Sequence, residues 1–244
     1  MPATLTVPAR FNGPPSSGNG GYTAALVARA LGAGAGPAEV TLKAPPPLDR
    51  PLAVEPSGGG IAVRDGETVV ATAAPARVEV DAPEPVTFEA AAAAGERGPF
   101  RRADTHPFPT CFVCGPERAA GDGMRVFAGP VEGDPSLFAA TWEPPASAGA
   151  AGGRVPDELV WAALDCPTSA PVANDPAAPD YRPVVLARLA VRVDRPVAAG
   201  ERHVVLSWPL AVEGRKREAA AALYAADGAL CAVSRALWIE LRAD

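Results

Sequence analysis

Two stretches decide how this chain folds: Gly18-Asn19-Gly20-Gly21-Tyr22-Thr23-Ala24-Ala25-Leu26 and Val155-Pro156-Asp157-Glu158-Leu159-Val160-Trp161-Ala162-Ala163-Leu164-Asp165. Each reads as a short, apolar, Ala-rich helix that precedes strand-like segments. The first has glycines at its start and no acid in its body. The second has no glycine at its start and carries an acid near its end. Gly20 or Gly21 opens the first helix, which runs to about Leu31 and is ended by Gly32, Gly34 and Gly36. In the second, Pro156 suits the first turn because no N–H is needed there. Asp157 and Glu158 suit the positive helix N-terminus. Pro167 stops that helix and pushes Cys166 out of the α region.

Working outward, the segments after the two helices echo one another. Asp65-Gly66-Glu67-Thr68-Val69-Val70-Ala71 is matched by Asp227-Gly228-Ala229-Leu230-Cys231-Ala232. Each Asp-Gly lies between apolar runs, a strong short-range hairpin signal. Strand-like Val78-Glu79-Val80 then corresponds to Ile239-Glu240-Leu241, and Val40 to Pro45 corresponds to Leu189 to Pro196. Duplication explains these echoes, although β-meanders also produce them. Two degenerate copies that keep different parts point to one composite site.

In the first half, residues 1–10 read as an edge strand or loose terminus, and strands are expected near 38–44, 50–56, 60–64, 67–75 and 77–81. Asp81 to Phe100 reads as a linker or short helix, with Glu89 to Glu96 the helical part. The second half starts around Arg101. Met124 to Ala128 and Leu137 to Trp142 read as strands, and four long strands follow at 184–194, 202–212, 216–226 and 229–241. One helix followed by antiparallel strands, twice, implies an α+β fold of two sheets joined edge to edge, each wrapping its own helix. The expected boundaries are 1–100 and 101–244.

Composition narrows the function. With 244 residues and 48% hydrophobic content, the chain can bury a substantial core. Its formal charge of -6 argues against a nucleic-acid partner. No run approaches the ~18 apolar residues of a membrane span. Met1 to Phe11 lacks a charged region followed by an apolar one, so a soluble, cytoplasmic protein is expected. The four cysteines, Cys111, Cys114, Cys166 and Cys231, form no disulfide-scaffold pattern, and a reducing compartment suits them. Cys111-x-x-Cys114 with His106 offers three zinc-type ligands, but no second Cys-x-x-Cys follows. A structural role in strand formation is the expectation there, with no metal and no cofactor.

Gly20-Gly21-Tyr22 at a helix start, Cys111-Phe112-Val113-Cys114-Gly115-Pro116 followed by Gly123-Met124-Arg125-Val126, the Leu159–Asp165 helix and the closing Ala236-Leu237-Trp238-Ile239 together resemble the hotdog-fold acyl-CoA thioesterase-like superfamily. The resemblance spans nearly the whole chain as a tandem, or double, hotdog. It implies thioester hydrolysis on acyl-CoA or an acyl carrier. In that family a His-Gly-Gly turn at a helix N-terminus offers a backbone N–H to the thioester carbonyl, and an Asp or Glu from the partner helix acts on water or attacks the carbon. Carried over, Asn19 stands in the His place and Gly20-Gly21 match the glycines. The acid place of that helix falls near Ala28 and is empty. In the second helix Pro156-Asp157-Glu158 occupy the His-Gly-Gly place, and Asp165 matches the acid. One active site per chain follows, with the tandem supplying the pseudo-dimer and a further homodimer compatible with it.

Physical chemistry gives each of these residues a role and an alternative. Helix N-terminal amides are preorganised donors for a developing oxyanion, and glycines let a ligand approach closely; a plain helix-start turn is the other reading of Gly20 and Gly21. Asn19 acts at the site or caps the helix through its side-chain oxygen. Asp165 sits near a helix C-terminus among apolar neighbours, both of which raise its pKa; otherwise it caps the Pro-Thr-Ser turn. Thr168 and Ser169 position water or are solvated turn residues. Tyr22 lines an acyl pocket or packs on the sheet. Two rival functions remain: a hotdog dehydratase, which needs an Asp with a nearby His, and a non-catalytic module that binds acyl thioesters.

Overall fold

The computed structural model describes residues 3–32, 36–150 and 152–242, so Gly34 lies outside the described residues. Among these, the strands are β1 (Ala3–Leu5), β2 (Ala38–Leu42), β3 (Leu52–Ser57), β4 (Gly60–Asp65), β5 (Thr68–Pro75), β6 (Gly129–Val131), β7 (Asp134–Trp142), β8 (Val184–Val193), β9 (His203–Glu213), β10 (Lys216–Ala225) and β11 (Leu230–Glu240). The helices are α1 (Gly20–Arg29), α2 (Phe88–Glu96) and α3 (Asp157–Ala163). All eleven strands join one antiparallel sheet in the order β1-β3-β4-β5-β2-β8-β11-β10-β9-β7-β6. The expectation of two sheets is corrected to one. The seam is β2 against β8, hydrogen-bonded from Ala38↔Val191 to Thr41↔Arg188, so the halves share a continuous ladder.

Both Asp-Gly pairs close hairpins, with Gly66 at φ 57° and Gly228 at φ 77°. Glycine tolerates that left-handed backbone without a Cβ clash. The four long strands form where expected. Segment 77–81 and Met124 to Ala128 do not form strands; the short β6 sits just beyond the latter, where Gly129-Pro130-Val131 pairs with β7. Gly129 has no room for a side chain, since a Cβ there would fall 2.0 Å from the Ala94 carbonyl oxygen of α2.

The sheet is covered on both faces in its second half. Val205 of β9 joins the core that holds α1 and α3, whereas its neighbours Val204 and Leu206 join a second cluster with Ala91 and Ala94 of α2. Period-2 alternation therefore puts α2 on the opposite face from α1 and α3. This accounts for the run Ala219 to Ala225 in β10, every residue of which is buried. A strand covered on both faces reads as continuously apolar rather than alternating. Helix α2 precedes residue 100 yet packs on β6, β7 and β9 of the second half.

Candidate active site

Helices α1 and α3 pack against each other in opposite directions. The first turn of α1 meets the end of α3, and the last turn of α1 meets the start of α3. Gly21 makes the first of these contacts possible. A Cβ there would stand 2.5 Å from Asp165 Cβ, 2.8 Å from the Trp161 carbonyl oxygen and 2.9 Å from Ala162 Cα. At Gly20 a Cβ would fall 2.6 Å from Leu186 Cδ2 of β8. The glycine pair is thus set by packing as well as by any ligand.

Asp165 follows the end of α3, where ψ turns to -80°, and precedes a 3-10 turn, Cys166–Ser169, containing Pro167. It is Asp165 rather than Cys166 that leaves helical geometry ahead of the proline. Its Oδ2 accepts the Gly21 N–H at 2.7 Å and Asn19 Nδ2 at 3.1 Å. Asn19 also caps α1, its Oδ1 accepting the Tyr22 N–H at 2.9 Å. The expected cap therefore forms, and the same side chain also reaches Asp165. Asp165 is 1% exposed, and its Oδ1 is buried with no hydrogen-bond partner among the described residues. Burial pushes its carboxyl up to about 7, partly offset by the Gly21 and Asn19 donors.

The sequence places this acid only at the negative end of its own helix; the fold also sets it against the positive N-terminus of α1. A second correction concerns the donors. The Gly21 amide, expected to face a substrate carbonyl, is taken by the carboxylate. Gly20 and Asn19 line the adjoining cavity and Gly21 does not.

Thr168 and Ser169 are not solvated. The Thr168 hydroxyl donates to the Asp165 carbonyl oxygen at 2.6 Å and accepts the Trp238 indole N–H at 2.8 Å, tying β11 to the turn. Ser169 Oγ donates to the Cys166 carbonyl oxygen at 2.8 Å, and this residue does border the cavity. Replacing Thr168 by Val leaves a buried indole N–H unpaired. We expect Thr168→Val to lower stability by about 1–3 kcal/mol in urea unfolding; an unchanged midpoint would contradict this account of the turn. Tyr22 stacks on Phe11 with ring centroids 3.8 Å apart and is not on the cavity wall.

Sequence reasoning missed the cysteines as a group. The Cys-x-x-Cys turn does not gather His106 as its third member. The Nδ1 of His106 accepts the Phe108 N–H at 2.9 Å. Instead Cys166, beside the acid, brings its sulfur to 3.8 Å from that of Cys111. Hydrogen bonds from Cys114 and Cys166 hold the Cys111 thiol well below its usual range. Its two neighbours are pushed correspondingly up. The only sequence signal for Cys166 was its position next to Asp165.

These groups open onto a cavity of about 530 Å³. Its walls combine Leu42, Pro46, Phe100, Phe108, Leu186 and Trp238 with Asn19, Asp165 and the three cysteines, a mostly apolar pocket with few convergent polar groups. The opposite end of the helix pair is built differently. There Arg29 pairs with Glu158, so an ion pair occupies the place where the other end has glycine and acid. Glu158 is buried while Arg29 is 69% exposed, so Arg29→Ala is expected to cost about 1 kcal/mol of stability, discounted for solvent screening. An unchanged urea midpoint would contradict this reading of the pair.

No family model and no curated protein matches the sequence. Solved structures do. A conserved protein of unknown function with a hotdog fold from Alicyclobacillus acidocaldarius aligns at TM-score 0.59, over 99% of this chain and 93% of that one, at 10% identity. The tesB protein of Mycobacterium avium subsp. paratuberculosis aligns at TM-score 0.58, over 98% and 91%, at 14% identity. A putative thioesterase II from Thermobifida fusca aligns at TM-score 0.56, over 98% and 96%, at 16% identity. Similarity along the full length at such low identity is a statement about architecture: this chain has the hotdog fold.

Proposed function

We propose that the chain hydrolyses acyl thioesters, carried on CoA or an acyl carrier, at one composite site built from two hotdog units, 1–100 and 101–244. The observation that carries this reading is the 2.7 Å bond from the Gly21 N–H to Asp165 Oδ2, which joins the glycine start of the first helix to the acid end of the second. Full-length structural likeness to a tesB protein and a putative thioesterase II supports the reading through architecture alone.

The two oxygens of Asp165 have separate tasks. Oδ2 is anchored by Gly21 and Asn19, which fixes the carboxylate; Oδ1 has no partner among the described residues and is the oxygen left to take a proton. With the acyl chain in the apolar cavity, water attacks the thioester carbon as its proton passes to Oδ1. The Gly20 amide, at the start of α1 and on the cavity wall, stabilises the resulting oxyanion. Collapse breaks the carbon–sulfur bond, and the thiolate leaves with the proton returned by Asp165. A reducing cytoplasm suits the thiols beside the acid. The dehydratase alternative turns on His106 alone: His203, held by the Glu201 carbonyl oxygen, is off the cavity wall, whereas His106 is on it, with Nδ1 held by the Phe108 amide and Nε2 without a partner among the described residues.

Thiol release from short-, medium- and long-chain acyl-CoAs tests the proposal. Turnover on at least one chain length is expected. No turnover on any of them, together with tight binding of the same compounds, would replace hydrolysis with a binding module.

A further inference from the structure

We propose that Cys111, Cys114 and Cys166 form a binding site for a thiophilic divalent cation, Zn²⁺, at the wall of the cavity. Their three sulfurs lie within 4.8 Å of one another. Sulfurs bound at ~2.3 Å to one tetrahedral ion stand roughly 3.8 Å apart. The Cys111 and Cys166 sulfurs are already separated by 3.8 Å, so closing on an ion requires little movement.

The backbone supports that reading. Cys111 and Cys114 sit on a tight turn closed by the Gly115 N–H, which donates to the Cys111 carbonyl oxygen at 2.9 Å. A Cβ on Gly115 would fall 2.4 Å from that oxygen and 2.6 Å from the Cys111 nitrogen, so the turn requires glycine in this place. Cys166, 55 residues from Cys111, arrives on the 3-10 turn that Ser169 and Ser207 pin through the Cys166 and Pro167 carbonyls. The Asn19 amide nitrogen stands 3.6 Å from the Cys166 sulfur and 3.9 Å from that of Cys111, so the N–H not given to Asp165 can donate to one of them. Three cysteine sulfurs from two turns, with an outer donor, are more than a packing role needs. All three residues line the cavity, so the fourth ligand would be water or a solute from it.

The test is a Co²⁺ titration of the whole reduced protein, with Zn²⁺ as competitor. One equivalent of Co²⁺ should give thiolate-to-cobalt charge-transfer absorption that Zn²⁺ abolishes. Cys111→Ser, Cys114→Ser and Cys166→Ser should each weaken cobalt affinity at least about tenfold. Cys231→Ser should leave it unchanged, since that thiol faces the Ala229 carbonyl. If a serine variant does not fold, alkylation of the wild type serves instead. Zn²⁺ should then slow modification of Cys111, Cys114 and Cys166 and spare Cys231. Absence of charge-transfer absorption, absorption that survives all three substitutions, or alkylation indifferent to Zn²⁺ would each overturn the proposal.

Discussion

Asp165→Asn should lower thioester turnover by roughly 10²–10⁴-fold, the usual range for loss of a positioned general base. The substitution is nearly isosteric. Its amide oxygen still accepts the Gly21 N–H, so the contact between α1 and the end of α3 survives. What is lost is the proton acceptor at the position of Oδ1. Stability should not fall in proportion, because a carboxyl that is 1% exposed gives up a desolvation cost when replaced by a neutral amide. Steady-state kinetics beside a thermal melt separates the two effects. Near-wild-type turnover in a folded Asp165→Asn protein would move the base elsewhere.

Gly21→Ala should damage both stability and turnover. In a helix, glycine to alanine ordinarily stabilises by about 1 kcal/mol. Here the sign reverses. The added methyl would stand 2.8 Å from the Trp161 carbonyl oxygen and 2.9 Å from Ala162 Cα, backbone atoms that cannot rotate away, as well as 2.5 Å from Asp165 Cβ. The helices must separate. Overpacking of this kind costs about 1–3 kcal/mol, which for a chain of this length lowers Tm by roughly 2–12 °C. Separation also pulls the Gly21 amide from Asp165, so turnover should fall with stability. A melt equal to or above wild type would show that the helices are not held at this contact.

The parts of the fold legible in the sequence were those governed by local signals. The long β8 to β11 strands carried apolar runs broken by few polar residues, and Asp65-Gly66 and Asp227-Gly228 marked the β4–β5 and β10–β11 hairpins because a left-handed glycine is needed there. Glu89 to Glu96 showed helical composition and forms the body of α2. Met124 to Ala128 looked equally strand-like, yet Val126 is instead held by the Val113 carbonyl in an irregular segment over the Cys-x-x-Cys turn. The single sheet depended on β2 pairing with β8, a register between distant segments that no local pattern encodes. At the site, the glycines, Asn19 and Asp165 were legible as separate parts. That the Gly21 donor would be spent on Asp165, and that Cys166 would complete a sulfur cluster, follows only from how α1 and α3 dock.

The claim at the centre of this account is a single composite site per chain. Calorimetric titration with a non-hydrolysable thioether analogue of a cleaved acyl-CoA tests it directly. One analogue should bind per chain, at the Asp165 end of the helix pair, with the Arg29–Glu158 end empty and Arg29→Ala without effect on stoichiometry. Two equivalent sites per chain would contradict it.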